Sequence, residues 1–213
     1  APALRMTFRQ AATTAGLDPN HLVLRNVRLQ VDTFSYHLPS GSLRACVPLL
    51  QLTEQRSGLT LSRTHLSLNM DSTRLSLPRI EVATPYSALK GHAAFDFNAL
   101  TPGRGGALNA DLELTAGQSD VARIAGPLLP KNMRPLLPEG DLTLNLRLRG
   151  NLTQLEIPQA KLQVARLLTL QLNGQVARPL QPELTSGALN ASLRLQEKAG
   201  WLTDALTHLA SEG

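Results

Sequence analysis

The sequence predicts a mainly β protein: a long, curved antiparallel sheet, groove-like (β-taco) in section, with a few short flanking helices. Three observations predict it. Leu142, Leu144, Leu146 and Leu148 alternate with Thr143, Asn145, Arg147 and Arg149. Period 2 puts all four leucines on one face of a strand, whereas a helix would scatter them around its circumference. Segments of this kind recur about every ten residues with turn signals between them, as an antiparallel meander requires. The apolar residues are also of an unusual kind. Hydrophobic residues make up 42% of the chain but aromatics only 3%, and about a fifth of the residues are Leu, roughly twice an ordinary share. Sheet cores are usually closed by Val, Ile and rigid aromatics. A leucine face therefore leaves two outcomes open, an ordinary leucine-rich core or a face turned to a ligand.

The elements follow in order. Leu4, Phe8, Ala11, Ala12 and Ala15 at helical spacing, with Gly16 as a stop, predict an N-terminal helix within residues 1–20. A first β-groove segment spans 21–117. Residues 21–32 alternate through Leu22 and Leu24, then Val27, Leu29 and Val31, and the slip of parity at Asn26 predicts a bulge. Residues 43–53 continue with Pro48, which implies an edge or a bend. Short strands at 58–62, 65–70, 74–77 and 79–83 place Leu59, Leu61, Leu66, Leu68, Leu75, Leu77, Ile80 and Val82 on the apolar side. Residues 89–97 alternate through Gly91, Ala93 and Phe95, residues 101–106 form a loop, and Leu108, Ala110, Leu112 and Leu114 make the next face.

Between 118 and 140 the pattern changes. Ser119 or Asp120 can cap a short helix carrying Val121, Ile124 and Ala125. Pro127, Pro130, Pro135 and Pro138 then rule out a central strand. The connector reads as a cap over the groove or as the joint between two similar halves, and the joint is preferred. A second β-groove segment covers 141–197, with strands at 141–149, 152–157, 161–165, 168–176 and 187–196. Trp201, Leu202, Ala205, Leu206 and Leu209 predict an amphipathic helix within 198–213. One continuous architecture is expected, and the chain reads as a piece of something longer.

Composition narrows function. Net charge is +5 with a pI near 10.0, carried by arginines dispersed along strands and loops. With no basic block and almost no aromatic side chains to stack bases, no nucleic acid is expected as a partner. Cys46 is the single cysteine, so no intrachain disulfide is possible, and it is expected to pack as a small apolar side chain. No stretch has the 18 or so apolar residues of a membrane-spanning helix. His21, His37, His65, His92 and His208 are dispersed, and Gly103, Gly105 and Gly106 lack the Lys and helix of a phosphate loop. Asp111 and Glu113 sit two apart on a polar strand face, as solvated residues do. No catalytic residue, metal ligand or cofactor is assigned, and the chain is read as non-enzymatic.

What remains is the apolar face. Its candidate groove residues are Leu142, Leu144, Leu146, Leu148, Leu108, Leu112, Leu114, Phe95, Leu170 and Leu172. If the sheet curls without a second sheet closing it, these line a trough with a dry floor and a polar outside. Each buried CH2 is worth about 0.8 kcal/mol, so half an acyl chain held there would gain several kcal/mol.

Residues 54–89 and 136–164 carry a Ser57–Leu59 "SGL" turn, a Thr84–Ser87 "TPxS" corner and a run of alternating leucines from Gly140 through Leu152. In these features the chain resembles the AsmA-like superfamily, in particular its TamB-type (translocation and assembly module) periplasmic proteins. The resemblance covers roughly residues 20–196. It implies a hydrophobic groove of taco-like section that carries phospholipid acyl chains between inner and outer membranes. It also implies a periplasmic location in a full-length protein anchored in the inner membrane. An outer-membrane barrel of the Omp85 class would be the partner, contacted through regions outside this chain. An alternative role is a scaffold or chaperone for assembly of outer-membrane β-barrel proteins, and a third is a plain structural domain with a closed core. No catalytic residues are carried over.

Overall fold

The computed structural model describes residues 4–7, 21–101, 103–124, 140–180 and 182–196. Within them the alternating segments form fourteen strands: β1 (Leu4–Thr7), β2 (His21–Gln30), β3 (Thr33–His37), β4 (Ser42–Val47), β5 (Leu49–Glu54), β6 (Thr60–Leu61) and β7 (Arg63–Met70), then β8 (Arg74–Ala83), β9 (Ala88–Asp96), β10 (Leu108–Ala116), β11 (Leu142–Gly150), β12 (Gln154–Val164), β13 (Leu168–Ala177) and β14 (Ser186–Leu195). One α-helix, α1 (Gln118–Ile124), lies among the described residues, with short 3-10 turns at Leu38–Ser40, Phe97–Leu100 and Pro182–Leu184.

The strands make two sheets, both antiparallel throughout. Ten strands run β14-β13-β12-β11-β10-β9-β8-β7-β4-β3 in an open sheet, and four run β1-β2-β5-β6. The chain leaves the large sheet after β4 and enters the small one at β5, with Pro48 at the crossing. Proline has no N–H to continue a ladder, so the change of sheet falls where the ladder must break anyway. The bulge expected at Asn26 is present. Asn26 has φ 53°, and the β2–β5 register shifts between Arg25 and Arg28.

Pro78 and Pro158 act differently from the reading above, which ended strands at them. Both sit inside unbroken strands, β8 and β12. Register shifts between Leu77 and Ile80 and between Ile157 and Ala160 place each proline in a bulge, where the ladder needs no N–H from it. A second correction concerns the N-terminus. Leu4–Thr7 is a strand, pairing with His21–Leu24, where the sequence predicted a helix. The open edge of β2 satisfies backbone groups that an isolated helical turn would leave bare. The rest of that helix, the proline-rich part of the connector and the C-terminal amphipathic helix lie outside the described residues.

The large sheet crosses the expected joint without interruption, since β10 and β11 pair from Leu108–Gly150 to Ala116–Leu142. On either side lie two copies of one four-strand unit, β7 to β10 and β11 to β14. Gly106–Ala110 and Gly187–Ala191 both read GALNA. The turns at Asp71 and Asn151, 80 residues apart, share their side-chain-to-backbone hydrogen bonds. The Asp71 side chain accepts the N–H groups of Thr73 (2.7 Å) and Arg74 (2.9 Å), and that of Asn151 accepts those of Thr153 (2.9 Å) and Gln154 (3.0 Å). Pro78 and Pro158 are the corresponding bulges.

Candidate functional site: an open leucine face walled at one end

Residues directly opposite one another in an antiparallel ladder share a face. Tracing the pairs across the large sheet gives continuous apolar rows. One runs Leu170, Leu162, Leu144, Leu114, Leu89, Val82. The next runs Leu172, Ala160, Leu146, Leu112, Gly91, Ile80, Leu66. Leu148 continues through Ala110 to Ala93, and Leu108 through Phe95 to Leu75. Leu142 opposes Val164 and Ala116. All ten residues singled out from the sequence therefore stand on one face.

That face is covered only in part. Each of the ten is intermediate in exposure. Among the described residues, the buried apolar side chains are Leu24, Ala99, Ala110 and Val164, and no large side chain is fully buried. A sandwich of this size would hide many leucines completely. Gly91 helps to shape the floor. At φ 146°, a Cβ there would overlap the Asp111 carbonyl oxygen of β10, so only glycine lets the two strands approach this closely.

The opposite face is polar and paired. Asp111 and Arg147 are cross-strand partners with Oδ2 and Nε 2.9 Å apart, Arg79 reaches Glu81 at 2.9 Å, and Arg74 lies 3.9 Å from Asp96. Exposed pairs of this kind contribute at most about 1 kcal/mol each; they keep the outside wet rather than hold the sheet. Cys46 departs from expectation. Its Sγ lies 3.8 Å from His65 Nε2 and 4.0 Å from the Ser67 hydroxyl, among polar groups rather than in an apolar niche, because its strand parity sets it on the polar side.

At one end the leucine face is walled. Leu59 from the turn before β6, Leu61 from β6, and Val121 and Ile124 from α1 line, with Val82, Leu89, Leu114 and Leu142, a cavity of about 380 Å³ that is almost wholly apolar. The turn carrying Leu59 is fixed by Glu54, which is 2% exposed. Its carboxylate accepts the Ser57 N–H (2.6 Å), the Ser57 hydroxyl (2.7 Å) and the Val23 N–H (3.3 Å). Burial pushes this carboxyl up, but the hydrogen bonds from Ser57, Arg56 and Val23 outweigh it and hold it below its ordinary value.

The other wall turns on Asp120. The sequence offered Ser119 or Asp120 as a helix cap, but α1 begins at Gln118, and Asp120 faces back to the Thr84–Ser87 corner. Its Oδ2 accepts the hydroxyl hydrogen bonds of Thr84 and of Ser87, the latter at 2.6 Å. The Thr84 hydroxyl in turn accepts the Ser87 N–H, and the Ser87 hydroxyl accepts the Gly117 N–H. Asp120 is 2% exposed, and its Oδ1 accepts no hydrogen bond from the described residues. The nearest cation is Arg123 Nη1 at 3.9 Å, whose guanidinium stacks 5.8 Å from the Tyr86 ring centroid. The sequence offered Asp120 only as a cap and did not reveal this role, because its partners lie 33 and 36 positions away.

Among the described residues no group of three His, Cys, Asp or Glu could hold a metal ion, and no helix is long and apolar enough to cross a membrane. No family model, no curated protein and no solved structure matches the chain.

Proposed function

We propose that this chain is a non-enzymatic periplasmic segment of an AsmA/TamB-like bridge protein, and that its leucine trough shields phospholipid acyl chains in passage between inner and outer membranes. The observation that carries this reading is the open face: ten groove residues on one side of a ten-stranded sheet, all only partly buried, with a charged face behind them. An apolar surface this continuous supports a binding role. Flexible leucines suit a fluid chain better than interlocked aromatics would.

Native mass spectrometry with lipid extraction on the purified chain tests it. Phospholipid co-purifies with the wild type and is lost from the double variant Leu144→Asp, Leu146→Asp, which remains β by circular dichroism. A lipid-free, cooperatively folding wild type, together with a double variant that unfolds, would mean that the leucines pack on themselves.

One observation favours a second reading, an assembly scaffold for outer-membrane β-barrel proteins. Strand β14 ends the large sheet among the described residues and exposes Leu189, Leu193 and Leu195. An unpaired edge of this kind can take up a client strand. Proline substitution in β14 would then impair client pairing and leave lipid binding intact.

A further inference from the structure

We infer that the outer edge of β14 takes an added antiparallel strand of one kind, with leucines alternating on one face and an acidic residue opposite Arg194 on the other. The inference rests on the scaffold reading and adds the partner's chemistry and register. The molecule itself shows what such an edge holds, because β14 repeats β10. Leu108–Leu114 and Leu189–Leu195 differ only where Asp111 and Glu113 give way to Ser192 and Arg194. In β10 that edge is filled by β11. Strand β14 ends the large sheet among the described residues, and all ten of its residues are exposed.

Backbone parity matches too. Alternate residues of an antiparallel strand turn both N–H and C=O to the same neighbour. The Asp111 carbonyl lies against Gly91 of β9, so Leu108, Ala110, Leu112 and Leu114 turn theirs to β11. The Ala188 carbonyl lies against Gly174 of β13, and the Gln196 N–H bonds Leu167 on that side, so Leu189, Ala191, Leu193 and Leu195 turn theirs outward. A strand docked as β11 docks on β10 would set leucines against Ala191, Leu193 and Leu195 and lengthen the apolar face. The polar face sets the charge. Asp111 pairs with Arg147 at 2.9 Å, and Glu113 faces Asn145. With Ser192 and Arg194 in those places the acidic side of the contact is lost, and the strand that complements the edge carries its carboxylate in the Asn145 slot, facing Arg194.

The test uses the full chain and labelled peptides of the β11 length, followed by fluorescence anisotropy. LTLELTLRG puts glutamate in the Asn145 slot and arginine in the Arg149 slot; LTLRLTLEG exchanges them, so composition and net charge are the same. The first binds the wild type about fivefold more tightly, and Arg194→Glu reverses the order. Register is read by disulfide trapping on a chain carrying Cys46→Ser and Ser192→Cys. LTLELCLRG, with cysteine in the Arg147 slot, faces position 192 in a close pair and is trapped; LCLELTLRG, with cysteine in the Thr143 slot, lies out of reach.

Equal binding of the two isomers, an order that survives Arg194→Glu, or equal trapping at both slots would overturn the inference while the scaffold reading stands, because strands still bind. Binding of neither peptide would overturn both. A wild type that dimerises by sedimentation, and becomes monomeric in Leu193→Pro, would give the edge to a second copy and overturn the inference as well. The wild-type peptide comparison decides the matter even if a variant fails to fold.

Discussion

Strands β10 and β14 carry nearly the same text and stand in different surroundings. Leu108-Asn109-Ala110-Asp111-Leu112-Glu113-Leu114 recurs as Leu189-Asn190-Ala191-Ser192-Leu193-Arg194-Leu195. In β10, with neighbours on both edges, Ala110 is buried and the three leucines are half-covered; in β14, paired on one edge, the leucines are 51%, 58% and 46% exposed. Alternation thus decides which residues share a face, but neighbours decide how dry that face is. The amphipathic pattern is a property of the strand, and burial is a property of its place in the row.

If place rather than text sets the energetics, like substitutions in the two units should differ in cost. The largest effect is expected at the strained glycines. Gly91 and Gly174 both have φ 146°, and a Cβ would strike the Asp111 carbonyl in the first case and the Ala188 carbonyl in the second. Gly91→Ala, held between two paired strands, should cost about 3 kcal/mol or more. Gly174→Ala should cost clearly less, because β14 has no outer neighbour to hold it and can shift. Urea midpoints measure both, and equal losses would break the comparison.

Leucine truncation comes next. Leu112→Ala should cost about 2 kcal/mol, towards the low end for partly covered leucines, whereas the equivalent Leu193→Ala should cost under about 1 kcal/mol. The same melts report it, and a Leu193 loss as large as that of Leu112 would mean that β14 is covered in solution.

The smallest effect separates the matched turns by charge. The Asp71 carboxyl is held below its ordinary 3.8, first by the Thr73 hydroxyl and then by the N–H groups of Thr73 and Arg74. Its folded value lies below the unfolded one, so its contribution is present above that ordinary value and is lost as pH falls through the folded value. Asn151 makes the same backbone bonds without titrating. Asp71→Asn should lower the neutral-pH midpoint slightly and flatten the acid limb of stability, and Asn151→Asp should steepen it. An acid limb untouched by Asp71→Asn would remove the turn from the pH response.

Much of the fold was legible because its signals are local. The leucine face, the bulge at Asn26 and the break at Pro48 each follow from neighbouring residues. What was not legible depends on pairing. Pro78 and Pro158 looked like strand ends because nothing local announces a bulge that absorbs a proline. The small sheet was hidden because β2 and β5 join only after the chain has made β3 and β4 elsewhere. Strand β3 itself was not foreseen, since residues 21–32 already filled the expected run. The groove residues could be named from parity alone, whereas Asp120 could not, since its role exists only when the Thr84–Ser87 corner folds against it.

From β7 to β14 each strand lies beside the next one in the sequence. Such a sheet can open like a zipper, one tooth at a time from β14, without tearing contacts between distant parts of the chain. Amide exchange would then be fastest at β14 and slow progressively toward β9, so the wall around Asp120, beside β9 and β10, would sit in the interior of the row among strands that open late.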